Sequence, residues 1–267
     1  MDQKQKIASL MHSYADWNQI APKIQPYHFE IEKDGKFFYY FGANHSSDPG
    51  NFQYPELKRY WDEFTSKTEN GNVAVLIEGG LRPIANSLEE AITKNSEAGY
   101  ITFLAHTKNL LTISPEPNRF EERQELLKQF SKEEVQYYYF ARVIRQWNSL
   151  PNDKPSLPEY AKRFLQKDER DSKWSNFDFS LEHMFEIHKR IFNAEFNQTG
   201  MERIRDSVNP TINSTVINQV AIACSLFRNI HIVLAIEEFW KQGKSIFAVF
   251  GGGHVILEEP ALRALLR

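Results

Sequence analysis

Apolar positions along the chain switch between two periods. Short runs at Phe29 to Ile31, Lys36 to Phe41, Val73 to Ile77, Leu110 to Ile113 and from Ser245 onward have the length and composition of strands. Asp34-Gly35 suits a tight turn with positive φ and joins the first two runs as a hairpin. Val73 to Ile77 is a continuous VAVLI run, the pattern of a strand covered on both faces. Between the strands the apolar residues recur at helical spacing. Leu57, Tyr60, Trp61 and Phe64 share one face behind Pro55, and Asn70-Gly71 closes that helix. Ile7, Leu10, Met11 and Tyr14 form an amphipathic start, followed by an entry loop with Pro22 and Pro26.

The later pattern is mostly helical. Ser87 with Glu90 and Ser131 with Glu134 are capping boxes. The first opens a helix through Lys94, continued from Glu97 to Lys108 with a break at Gly99. The second opens a helix to about Asn148, where Val135, Tyr138 and Tyr139 share a stripe with Arg142. Three prolines between Leu150 and Pro158 mark a linker. A helix from Ser180 to Phe196 carries His188 on its apolar stripe, as a hydrogen-bonded core residue, and His183 off it, at the surface. A long helix runs to Lys241, with an interruption expected near Arg228-Asn229. Gly243 ends it, and Glu258-Glu259-Pro260 starts a short terminal helix. Strands alternating with helices define an α/β fold: a mostly parallel central sheet flanked by helices, with a helical insertion in the middle of the chain. Residues 1–267 read as one α/β domain and approximately 118–213 as the insertion or subdomain.

Composition narrows the function classes. A length of 267 residues is within reach of one core, since single cores stop growing near ~250 to 300 residues. A formal charge of -3 with scattered basic residues gives no footprint for nucleic acid. The single Cys224 sits among apolar neighbours as a buried, inert thiol. With no apolar signal-like start and no run of about 18 apolar residues, no membrane association is expected and the cytoplasm is the expected location.

The chemistry gathers at strand ends. KFFYYFGANH, ending at His45, and SIFAVFGGGH, ending at His254, repeat one pattern: an apolar run, then a glycine three residues before a histidine. The next two strands end at Glu78-Gly79-Gly80 and, through Ser114-Pro115, at Glu116. Ligands of open α/β sheets bind at the carboxyl ends of strands, so these four residues can converge. Two imidazoles with carboxylates suit a divalent transition metal (Mn, Co or Zn), here on His45, Glu78 and His254. The bland alternative is that these residues cap helices and bind loops. No HExxH, paired CxxC or Walker loop is present, and no Lys-Ser/Thr follows the glycines, which argues against a nucleotide site.

The two GxxH motifs, Gly42-Ala43-Asn44-His45 and Gly251-Gly252-Gly253-His254, resemble those of the superfamily that includes Tiki proteases, TraB-like proteins, erythromycin esterases and haem-binding ChaN-like lipoproteins. Ile77-Glu78-Gly79-Gly80 and Arg228-Asn229 fall in the same order as in the TraB and Tiki arrangement. The resemblance covers roughly 36 to 117 and 214 to 266. It implies a hydrolytic site, with or without a metal, in which His45, Glu78 and His254 are ligands or acid/base groups, joined by Glu116 and Arg228. Tiki and TraB-like members are membrane-tethered and ChaN-like members are lipoproteins, whereas neither anchor is read here.

The expected activity is cleavage of an ester or amide bond in a small-molecule or peptide substrate by activated water. Glu116 would take the proton and Arg228 would stabilise the oxyanion. Without a metal, an imidazole would act as the base. The alternative is a non-enzymatic protein that binds haem or another small ligand in the same cleft, to which the 20 Phe, 11 Tyr and 5 Trp would contribute.

Overall fold

The computed structural model describes residues 2–17, 19–20, 26–68, 72–150, 153–197 and 200–267. Pro22, the Asn70-Gly71 stop and positions 151 and 152 of the linker lie outside the described residues.

Alternation of side chains builds the sheet. Strands β1 (Tyr27–Lys33) and β2 (Lys36–Ala43) form an antiparallel hairpin whose turn residues, Asp34 and Gly35, have φ of 53° and 72°. Both values are positive, as the two-residue turn that matches strand twist requires. β3 (Val73–Ile77), β4 (Thr112–Ile113) and β5 (Ser245–Gly251) complete five strands in the order β1-β2-β5-β3-β4, with every pair after the first parallel. The last strand in sequence is therefore the central one. β4 is shorter than the Leu110 to Ile113 run, and Leu111 is 86% exposed, so an apolar residue there meets no second layer.

Helices cover both faces. Phe38 and Tyr40, Ala74 and Leu76, and Ile246, Ala248 and Phe250 point to one side. There they pack against α1 (Gln3–Leu10), the end of α9 (Val216–Lys241) and α10 (Gly252–Leu266). The intervening residues, Tyr39 and Phe41, Val75 and Ile77, and Phe247 and Val249, face α2 (Gln53–Lys67) and α3 (Leu88–Thr107) on the other side. This is the mixed α/β architecture that the alternating pattern predicts.

The contacts fall into two compact units, Met1–Glu116 with Arg228–Arg267, and Pro117–Phe227. The second unit thus extends beyond the 118–213 bounds through the first turns of α9. It comprises α4 (Arg119–Leu126), α5 (Lys132–Asn148), α6 (Leu157–Ser172), α7 (Leu181–Phe192) and α8 (Gly200–Ser207), around a core that includes Tyr137, Ile144, Leu165 and Met184. His188 is fully buried there and its Nδ1 lies 2.6 Å from the Tyr137 hydroxyl, the core role its stripe predicts. His183 is half-buried rather than at the surface, 3.5 Å from Glu186.

Three local expectations are corrected. α9 is unbroken at Arg228-Asn229. Among the described residues, α9 is long and apolar enough to cross a membrane by length and composition, although polar residues interrupt it and leave no run of about 18 apolar residues. Its apolar residues serve two cores, Ile217, Val220 and Ala221 in one and Ile232, Val233 and Ile236 in the other. α3 bends at Asn95 and Ser96, between the two helical pieces expected to end at Lys94 and begin at Glu97, but it is not broken at Gly99. Gly99 is a packing glycine: a Cβ there would lie 2.6 Å from Asn95 Cβ. Finally, α10 begins at Gly252, directly after β5, and runs through Pro260, so the terminal helix starts six residues before Glu258.

Candidate functional site

β2, β3, β4 and β5 are parallel, so their carboxyl ends lie on one edge. Each delivers one of the expected residues. His45 follows β2 with φ of 50°, a left-handed conformation that costs a non-glycine residue energy and persists where surroundings hold it. Glu78 follows β3, Glu116 follows β4, and His254 stands on the first turn of α10 behind β5. Arg228 comes from α9. All five converge.

Glu78 is the hub. Its Oε2 accepts a hydrogen bond from the Gly251 amide at 2.6 Å and lies 3.7 Å from His45 Nε2. Its Oε1 lies 3.5 Å from His254 Nε2 and accepts from Arg228 Nη2 at 3.3 Å. Arg228 also donates through Nε to Glu116 Oε1 at 2.9 Å, and through Nη2 to the same oxygen. The other Glu116 oxygen accepts from the Gly79 amide at 2.5 Å. Gly251 is glycine for space: a Cβ there would stand 2.5 Å from His45 Nε2 and 3.2 Å from Glu78 Oε2. The glycine ahead of His254 lets backbone approach the other histidine and the shared glutamate.

Two residues to which the sequence pattern gave no role complete the site. Glu97, 3% exposed, accepts from His45 Nδ1 at 2.5 Å. Asn229 Oδ1 lies 2.5 Å from His254 Nδ1. A carboxylate and an amide oxygen only accept, so Nδ1 carries the proton in both rings and Nε2 is the nitrogen turned to Glu78. This is how outer partners orient imidazole ligands and bases. Glu97 reaches the cleft because α3 restarts after Ser96, whose φ of 51° and ψ of −144° are a conformation normally left to glycine. Behind His254, Glu258 is fully buried and accepts from the Tyr40 hydroxyl at 2.7 Å, and burial pushes its carboxyl up.

The charges are mutually dependent. Burial opposes ionisation of Glu78, but His254, His45 and Arg228 together hold it well below the usual carboxylate range. The bond to Glu97 raises His45; burial offsets part of this and the Glu78 charge adds to it. Burial opposes the His254 cation, yet Glu78 and Glu258 outweigh it and push this imidazole up to about 9. A histidine raised from 6.5 to about 9 on folding contributes stability that is complete below 6.5 and lost as pH rises through 9. The loss amounts to ~3 kcal/mol. Urea unfolding from pH 6 to pH 10 should show that fall, and His254→Gln should flatten it; equal slopes in the two proteins would refute the assignment.

Among the described residues, Glu78, Glu116 and His254 form a group whose ligand atoms all lie within 4.8 Å of one another, an arrangement able to hold a metal ion. Glu116 takes the place in that group expected for His45, whose Nε2 faces the opposite oxygen of Glu78. Beside His45 and Glu78 opens a polar cavity of about 280 Å³, bounded also by Arg82, Lys94 and Glu97. The large aromatic side chains of this unit, including Tyr39, Tyr40, Phe41, Trp61 and Phe247, are in its core instead. Comparison with family models, curated proteins and solved structures finds no match to this chain.

Proposed function

We propose that this cleft is the site of a hydrolase similar to the Tiki, TraB-like and erythromycin esterase superfamily, cleaving an ester or amide bond with activated water. One observation carries the reading: two histidines, each fixed through Nδ1 by a dedicated acceptor, turn Nε2 to the two oxygens of one glutamate. A fold needs no such arrangement merely to cap helices, because either histidine could be satisfied by backbone.

The donor set fits a divalent cation such as Mn, Co or Zn, combining two carboxylates with imidazole nitrogen. Glu78, Glu116 and His254 would hold it, and when bound it supplies carbonyl polarisation and acidifies water. The chain's own groups do the rest. Glu97 keeps His45 Nε2 at the cleft, where the half-exposed ring can pass a proton between the reacting centre and solvent. Arg228 holds Glu78 and Glu116 together and offsets their mutual repulsion, and its guanidinium would stabilise a developing oxyanion. Asn229 fixes the orientation of the His254 ring through Nδ1.

The test is turnover of nitrophenyl esters and short peptide amides by the purified chain, before and after chelation and with Mn, Co or Zn restored. His45→Ala and His254→Ala should each lower turnover by roughly 100-fold or more. Turnover indifferent to both substitutions, or none on any substrate with any metal, would overturn the proposal. Turnover that survives chelation but not the histidine substitutions would assign the metal-free route.

A further inference from the structure

Arg142, which the sequence places on an apolar stripe without a task, belongs to a second cavity. It lies wholly within the helical unit and measures about 390 Å³. Arg119 from α4 and Arg142 and Arg145 from α5 border it, over apolar walls that include Tyr139, Phe164 and Val208. Among the described residues that line it, none is acidic.

The cationic character is built from below. Arg119 donates to Asp168 at 3.1 Å, but Asp168 is 1% exposed and also accepts from Arg123 at 2.8 Å and from Gln136 at 3.0 Å. One carboxylate thus serves two guanidinium groups, and a second buried carboxylate, Glu122 of α4, accepts from the Tyr139 hydroxyl at 3.1 Å. Arg123 is 1% exposed, and its Nε and Nη1 have no hydrogen-bond partner. Both guanidinium groups flank the Tyr139 ring, at 5.1 and 4.8 Å. Arg119 is therefore fixed by a buried carboxylate and stacked on an aromatic wall before any ligand arrives, which lowers the ordering cost of binding. Arg145 has no carboxylate within ion-pair distance among the described residues. The carbonyl end of α5, near Ser149, contributes partial negative charge to a lining that otherwise carries only the guanidinium groups of Arg119, Arg142 and Arg145. On a chain of formal charge -3 the attraction for anions is local to this cavity.

We infer that this cavity binds a small polyanion bearing phosphoryl or carboxylate groups, its oxygens held by Arg119, Arg142 and Arg145 and its apolar part lying on Tyr139 and Phe164. Guanidinium forks match both oxyanions in pairs of parallel hydrogen bonds, and the volume is that of an ordinary small-molecule site. The site is independent of the strand-end cleft and does not rest on the hydrolase reading.

Isothermal titration of the full chain with inorganic pyrophosphate, and separately with citrate, tests it. Saturable one-site binding of either probe is expected, the tighter of the two assigning the phosphoryl or the carboxylate class. Arg142→Ala and Arg145→Ala should each weaken it about tenfold, as loss of a charge-assisted bond implies. Arg145 is exposed, so the melting temperature of Arg145→Ala without ligand should match the parent's. Arg145→Lys, which keeps the charge but not the fork, should bind at an intermediate strength. His254→Ala should bind like the parent, which separates this site from the cleft. No saturable binding of either probe up to roughly 10 mM, or equal affinity in the parent and the Arg142→Ala/Arg145→Ala double variant, would overturn the inference.

Discussion

Replacing Glu78 with glutamine should lower hydrolytic turnover by about 10³-fold or more while leaving the far-UV circular dichroism unchanged. The substitution is nearly isosteric, so the consequences are electrostatic. Glu78 receives an amide from Gly251, a guanidinium nitrogen from Arg228, and faces two imidazole Nε2 atoms. A glutamine must turn its NH2 toward one of these pairs. If the amide nitrogen replaces Oε2, it opposes the Gly251 N–H; if it replaces Oε1, it opposes Arg228. Either way a donor meets a donor, at a cost of roughly 1–3 kcal/mol. His254 also loses the main charge that raises it, so its titration, followed by NMR, should move from about 9 back toward 6.5. Turnover within tenfold of the parent's would remove Glu78 from the centre of the proposed mechanism.

The second large effect concerns the fold. Gly42→Ala places a Cβ 2.7 Å from the Tyr27 carbonyl oxygen, 3.0 Å from Gly252 Cα and 3.1 Å from Val255 Cγ2. Two of these are backbone atoms, one in the paired strand and one at the start of α10, so no rotamer change relieves the clash. The expected cost is ~3 kcal/mol, the upper part of the overpacking range. That corresponds to a melting temperature lower by roughly 5–10 °C for a chain of this size. Gly253→Ala is the control, because its Cβ would meet only Trp17, at 3.9 Å, in a helix where alanine is preferred. Equal melting temperatures for the two variants would show that the β2–α10 approach is not tight.

Much of this was readable in the sequence, for definite reasons. Asp34-Gly35 marked the hairpin because two adjacent positive φ values leave few alternatives. VAVLI marked a doubly covered strand because burial on both faces removes the need for polar residues. His45, Glu78, Glu116 and His254 were found together because parallel strands bring their carboxyl ends to one edge wherever they fall in the chain. Glu97 left no such signal. Its position depends on a bend at Ser96, a non-glycine residue with positive φ; the gap between the helical pieces at Lys94 and Glu97 marked the bend but not the direction it gives this carboxylate, and Gly99 serves packing. Asn229 was visible beside Arg228, but its bond to His254 follows from how α9 packs on α10. The start of α10 was hidden because glycines are poor helix formers and the strand-to-helix junction has no connecting residues.

The central place of β5 has a consequence for synthesis. β2 and β3 have no ladder to each other; each pairs with β5 instead. A ribosome-bound chain that has exposed residues 1–240 holds His45, Glu78, Glu97, Glu116, Arg228 and Asn229 but lacks the strand that sets the spacing between β2 and β3. Their alignment waits for pairing across some 200 residues of sequence, the kind of long-range closure that folds slowly. Emergence of Ser245–Gly251 closes the sheet and, three residues on, supplies the second histidine. Assembly of the polar cluster and completion of the sheet are thereby one event, and an unfinished chain carries the cluster unassembled.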